Sequence, residues 1–330
     1  MTVVYFQCQG AKVVRNNGLL CLETQNNILA ETLIKDIDSL VIIGHIALTA
    51  QAVDAILFNG IPTSFLSLRG RYKGRLAPAG DKNVPLRLKQ YNTHLDQELS
   101  LNLAKTIVRA KIQNSAAVLR VFLRNHPDEY VSSTRKSLLE SIPAIEKSQN
   151  KDELMGIEGE ASRRYFSVFG HMCLGEMKFE GRTRRPPKDP ANAILSFAYG
   201  LIMAELAANL ASVGLDPDIG FYHALKYGRP ALALDLVEEF RQPLADRLVL
   251  FVNNNRMLKL ADFEPVEEGG IRLKEEARKK FLAAYEQFVT EQLRTGARQQ
   301  TFRQIFQIQA QNLRKWLETG VEYRPFLLEE

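Results

Sequence analysis

Hydrophobic and polar positions change rhythm along this chain. Over residues 1–85 the apolar positions fall in short runs, TVVYF, KVVRNNGLLCLE and SLVIIGHIALT, whose length and β-branched content suit strands. Asn17-Gly18, set between Val13-Val14 and Leu19-Leu20, predicts a hairpin turn. Ala52, Val53, Ile56 and Leu57 recur at helical spacing, which predicts a short helix over Ala50–Phe58 stopped by Asn59-Gly60. IPTSFLSL returns to strand character, and Gly70, Gly74, Pro78 and Gly80 mark a turn-rich exit.

From Leu86 onward the period becomes helical. Leu101, Ala104, Ile107, Val108, Ala110 and Ile112 follow one another without Gly or Pro, predicting a long helix or two with a short break. Further helices are predicted over Ser132–Lys147, Glu153–Gly170, Ala191–Ser212, Leu232–Val252, Glu275–Leu293 and Gln299–Leu317. In the last of these Phe302, Ile305, Phe306, Leu313, Trp316 and Leu317 form an apolar stripe that Gln309 interrupts. The expected class is α+β, with a small, mainly-β N-terminal domain over 1–85 and a large all-α C-terminal domain over 86–330.

Composition narrows the picture. Across 330 residues, 45% apolar and 25% charged content excludes a disordered chain, a collagen-like repeat and a disulfide scaffold. The net charge of +5 permits an anionic partner without requiring one. Cys8, Cys21 and Cys173 form no CxxC pair, which fits a reducing compartment. The N-terminus lacks the pattern of a signal peptide. The apolar stretch Ala193–Val213 is interrupted by Ser196, Glu205, Asn209 and Ser212, so no membrane span is expected and the cytoplasm is the expected location.

Four segments carry candidate chemistry. Glu158 stands between Gly156 and Gly159 near a predicted helix start. Glycine costs about 1 kcal/mol there against Ala, which makes sense if a ligand or a backbone approaches the carboxylate; the plainer reading is a first-turn acid facing the helix dipole. His223 lies in a turn-rich segment, where an incidental histidine is the plain alternative. Asp235, Glu238 and Glu239 share a strongly apolar helix, so they need cations, either a metal or a salt bridge to Arg241 or Arg247. Glu158, His223 and an acid of 235–239 suit an open site for a hard cation such as Mg²⁺ or Mn²⁺. Basic residues gather in segments free of acids: Arg69, Arg71, Lys73 and Arg75; Lys105, Arg109, Lys111, Arg120 and Arg124; Arg182, Arg184, Arg185 and Lys188; Arg294, Arg298, Arg303, Arg314 and Lys315. Each is either a solvated face or part of a nucleic-acid surface.

At LMGIEGEASRRYF, RRPPKDPANAILSFAYGLI and GLDPDIGFYHALKYGRPALALDLVEEFRQPLADRLV, supported by RLKQYN, LAKTIVRAKIQN and QAQNLRKWL, the chain resembles the CRISPR adaptation integrase family, CRISPR-associated protein one. The resemblance implies an N-terminal β-domain used for homodimerisation and a helical catalytic domain with a divalent-metal site. It implies Glu158, His223 and Glu238 as metal ligands and catalytic residues, with Asp235 assisting through water; Glu239 and Glu160 stay open as rivals. Arg163, Arg184, Arg185, Lys226 and Arg241 are the implied phosphate contacts. The implied reaction is attack by a 3′-hydroxyl of foreign DNA on a phosphodiester at the CRISPR repeat boundary, or hydrolysis with water as nucleophile. The implied partners are double-stranded DNA, a second copy of the chain and the small ferredoxin-like adaptation subunit. The alternative is a non-catalytic helical scaffold for nucleic acid.

Overall fold

In the first unit, Met1–Lys82, the expected strands and helix are present and two further strands, Ile28–Leu33 and Tyr72–Leu76, add to them, so that the described residues form eight strands and one α-helix. They are β1 (Val3–Phe6), β2 (Lys12–Asn16), β3 (Leu19–Glu23), β4 (Ile28–Leu33), β5 (Ser39–Ile43), β6 (Ala47–Leu48), α1 (Ala50–Phe58), β7 (Thr63–Leu66) and β8 (Tyr72–Leu76). The computed structural model describes residues 2–25, 27–78, 83–184, 186–266, 269–296 and 298–329. Asn17 and Gly18 both take positive φ, 45° and 86°, the geometry that matches a two-residue turn to strand twist. They set β2 against β3 with Val13 opposite Leu22. One sheet has the order β4-β3-β2-β6 and the other β1-β5-β7-β8. Thr49 caps α1 by accepting from the Ala52 amide. Val13, Leu20, Leu40, Ile42, Ala52 and Ile56 close the core between sheets and helix.

Arg69, Arg71, Lys73 and Arg75 do not form one extended face. Arg69 and Arg71 lie in a turn closed by the Ser67 amide on the Arg71 carbonyl, and the β7–β8 register shifts beside it.

The second unit, Asn83–Glu330, is mostly helical. Its helices begin with α2 (Val84–Leu95) and α3 (Gln97–Leu123), separated at Asp96, which caps α3 through the Leu99 amide. Next come α4 (Glu129–Glu140) and α5 (Ile142–Lys147), where Pro143 imposes a break on the expected single helix. α6 (Lys151–Met172) follows, then α7 (Pro190–Ser212). α7 is long and apolar enough to cross a bilayer, yet most of it is buried inside this unit, where it forms the central helix.

The segment expected as one helix over Leu232–Val252 is α8 (Ala231–Phe240), a π-helical turn over Arg241–Asp246, and α9 (Arg247–Asn254). Pro243 supplies no N–H to an α-helical ladder, and the wider turn accommodates it. The unit also departs from all-α. β9 (Phe263–Val266) pairs with β10 (Gly270–Leu273) ahead of α10 (Glu275–Thr290). β11 (Gln292–Thr295) pairs with β12 (Arg298–Thr301) ahead of α11 (Phe302–Thr319). Gly296, at φ 59°, turns the second hairpin, and Thr301 with Gln304 forms a reciprocal cap that starts α11. These local signals end the two helices expected over Glu275–Leu293 and Gln299–Leu317.

Candidate active site

Glu158 lies two turns into α6. Asp152 and Glu153 fill the first turn and Asn150 caps it, so Glu158 is not the dipole-facing acid. A Cβ at Gly156 or Gly159 would meet nothing within 4 Å, so no backbone approach explains these glycines. Gly156 lines an open groove of about 580 Å³ with Ala144, Lys147, Glu160 and Arg164, which Glu158 does not line.

The Glu158 carboxylate meets α3 directly and α8 through Lys111. Lys111, on α3, pairs with Glu158 Oε1 and also lies 2.6 Å from Glu238 Oε2. Ser162 donates to Glu158 Oε1 at 2.8 Å. Burial pushes the Glu158 carboxyl up, but Lys111 and the hydrogen bonds from Lys111 and Ser162 outweigh burial and the neighbouring Glu238, so it sits below the usual carboxylate range. Glu238 is 2% exposed. Burial pushes it up too, yet Arg241, Lys111 and His223 together hold it well below the usual range. Arg241 Nε donates to its Oε1 at 2.9 Å, and the guanidinium stacks 4.5 Å from the Tyr199 ring centre.

His223 arrives from the loop before α8. Asp235, buried on α8, accepts the amides of Phe221, Tyr222 and His223 and, at 2.7 Å, His223 Nδ1. Gly220 is required here, because a Cβ would stand 2.6 Å from Asp235 Oδ2 and from the Ala231 carbonyl carbon. With Nδ1 donating to Asp235, the ring presents Nε2 toward Glu238 Oε1, 3.7 Å away. Asp235 therefore acts on the site through the orientation of His223.

The two rival acids are placed elsewhere. Glu239 accepts from Tyr323 Oη at 2.5 Å, the Phe326 amide at 2.7 Å and Gln309 Nε2 at 2.9 Å. The polar break in the α11 stripe thus meets a buried acid. Burial pushes the Glu239 carboxyl up to about 7 despite these donors. Glu160 is exposed and pairs with Arg163 and Arg164.

The basic residues divide by burial. Arg163, Arg184 and Lys226 are exposed; Arg185 lies outside the described residues. Arg241 is largely covered against Glu238 and Tyr199. Arg182 bonds Asn192 and Ser196 across the base of α7. Arg303 is a core cation between Glu205 and Glu286. Lys111 was legible as a member of a basic cluster and of the LAKTIVRAKIQN segment, with no role attached. The signal for its role is its spacing, since it shares the apolar stripe of Ala104, Ile107, Val108 and Leu119.

One buried and one partly buried carboxylate and an imidazole, with basic side chains around them, have the make-up of a phosphodiester-cutting or -joining enzyme. The family model for CRISPR associated protein Cas1 matches residues 4–287. The chain is 35% identical over 98% of its length to a CRISPR-associated exonuclease Cas4/endonuclease Cas1 fusion of Geobacter sulfurreducens, of which it spans 59%. It is 36% identical to CRISPR-associated endonuclease Cas1 3 of Thermus thermophilus over 98% of this chain and 96% of that protein. A solved CAS1 protein from Thermotoga maritima superposes with a TM-score of 0.84 at 28% identity, covering 100% of both chains. The chain belongs to the Cas1 family of CRISPR-associated endonucleases.

That family implies a divalent metal, and the donor set suits one. Glu238 Oε2 is buried and accepts no directed hydrogen bond, although Lys111 Nζ is close. The 3.7 Å between His223 Nε2 and Glu238 Oε1 is too long for a hydrogen bond and within the roughly 4 Å span of two ligands on one cation. As the side chains stand, no group of three His, Cys, Asp or Glu among the described residues closes on a single point. Lys111 stands between the two glutamates instead.

Proposed function

We propose that this Cas1-family enzyme inserts foreign DNA fragments as new spacers into a CRISPR array by 3′-hydroxyl transesterification, and that the same site hydrolyses phosphodiesters when water is the nucleophile. The approach of Glu158 and His223 to Glu238 from three separate segments, Lys111 bridging the two glutamates and His223 Nε2 lying 3.7 Å from Glu238 Oε1, supports this reading most directly. These three side chains hold Mg²⁺ or Mn²⁺. When bound, the cation supplies Lewis-acid stabilisation of the charge that builds on the phosphate. Asp235 fixes the His223 ring so that Nε2 faces the site, and Arg241 holds the Glu238 carboxylate in place. Ser162 orients Glu158. Exposed Arg163, Arg184 and Lys226 contact DNA phosphates, joined by Arg185, next to Arg184 in sequence. The chain works in the cytoplasm as a homodimer, with double-stranded DNA and the small ferredoxin-like adaptation subunit as partners.

The test incubates the purified protein and its partner subunit with a 3′-hydroxyl DNA fragment, a supercoiled CRISPR plasmid and Mn²⁺. Wild type gives strand-transfer product, and Glu158→Ala and His223→Ala give none. Equal product from all three proteins, or none from wild type, overturns the assignment.

A further inference from the structure

Lys111 belongs to the LAKTIVRAKIQN segment, yet neither the implied ligand set nor the implied phosphate contacts include it. Its position is unusual for a lysine. It is 6% exposed, on the apolar face of α3, and its ammonium touches both Glu158 and Glu238. Each glutamate already has another polar partner, Ser162 for Glu158 and Arg241 for Glu238. What Lys111 adds is a positive charge between the two carboxylates, and two like charges this close need one.

We infer that Lys111 is an internal stand-in for the divalent cation: its ammonium occupies the place between Glu158 and Glu238 that the metal takes, and metal entry displaces it. The inference rests on the metal-site reading above. Charge favours an exchange over joint occupancy. Glu158, Glu238 and the Asp235 behind His223 are set against Lys111 and Arg241, so the acids are already largely compensated before a metal arrives. A divalent cation added with Lys111 still in place leaves an excess of positive charge in a largely buried site. Withdrawal of the ammonium lowers that excess and frees Glu238 Oε2, which Lys111 otherwise covers at 2.6 Å. The same charge keeps the site assembled without metal, at the cost of weaker metal binding.

The test titrates Mn²⁺ into the full-length protein, following the loss of the free-ion electron paramagnetic resonance signal. Lys111→Met keeps the length and removes the charge, and it should bind Mn²⁺ at least ten-fold more tightly than wild type. Lys111→Arg should not tighten binding, and Glu158→Gln should weaken it. A purely structural lysine predicts unchanged or weaker binding in Lys111→Met, and that result overturns the inference. A second measurement uses only the wild type, in case Lys111→Met folds poorly. Acylation of Lys111, read by peptide mass spectrometry, should rise several-fold on adding Mn²⁺, and an unchanged rate overturns the exchange. If wild type binds no Mn²⁺, or binding ignores Glu158→Gln, the metal-site reading falls and the inference with it. If binding is normal and depends on Glu158 but not on the charge at 111, only the inference falls.

Discussion

Glu238 and Glu239 are neighbours on α8, and both are buried, yet their surroundings differ in kind. Glu238 faces Lys111, Arg241 and His223, three cationic or potentially cationic groups. Glu239 faces Tyr323, Gln309 and the Phe326 amide, all neutral donors from α11 and the segment that follows it. The Phe326 ring stacks on Phe240, and Asn114 of α3 ties the same segment to the Glu239 carbonyl. Charge partners hold one carboxyl far below its usual range, while burial lifts the other to about 7. One helix therefore shows an acid to the site on one side and uses an acid as a structural anchor on the other. Both carboxyls are hydrogen-bonded, but only the one with cationic neighbours is held below its usual range, because the neutral donors around Glu239 do not outweigh its burial.

The sharpest way to break this contrast is Glu238→Gln. The amide keeps the shape and loses the charge, so strand transfer should fall on the order of a thousand-fold, with the circular dichroism spectrum unchanged. Activity within a few-fold of wild type would put Glu238 outside the chemistry. Glu239→Ala should act on stability. It strands the Tyr323 hydroxyl, the Phe326 amide and the Gln309 amide without their acceptor, at a cost of about 3 kcal/mol. Urea denaturation measures this, and a loss below about 1 kcal/mol would show that the anchor carries little.

The smallest effect concerns a third buried acid, Asp246, in the π-helical turn. Burial lifts its carboxyl to about 6 from 3.8, against the pull of the Tyr199 hydroxyl 2.5 Å from Oδ1 and of Arg182 and Arg241. The folded state then holds the proton more tightly than the unfolded one. This contribution to stability is present in full below pH 3.8 and is lost as pH rises through about 6. The slope is at most about 1.4 kcal/mol per pH unit. Asp246→Asn should flatten the denaturation midpoint over that window; an unaltered slope would refute the assignment.

Much of this was legible along the chain. Asn17-Gly18 and the spacing of Ala52, Val53, Ile56 and Leu57 mark a turn and a helix that form where expected, because both are set by short-range geometry. The motifs around Glu158, His223 and Asp235–Glu239 named the family. Local rhythm failed where tertiary contacts and turn chemistry compete with it. The hairpins at 263–273 and 292–301 lie between helices whose apolar period masks them, and Pro243 widened a helix that periodicity read as continuous.

The sequence by itself determined the order of elements, the switch from strand to helix, and the residue types able to hold a cation. The tertiary structure alone decided which acid faces which partner. Glu238 and Glu239 cannot be told apart by composition or hydropathy, since each is a glutamate in the same apolar helix. Their roles diverge because α3 brings Lys111 to one and α11, with the segment after it, brings Gln309 and Tyr323 to the other. The charge state of a buried carboxyl depends on groups a few ångströms away in space, and the two that distinguish these acids, Lys111 and Gln309, lie 127 and 70 residues away in sequence.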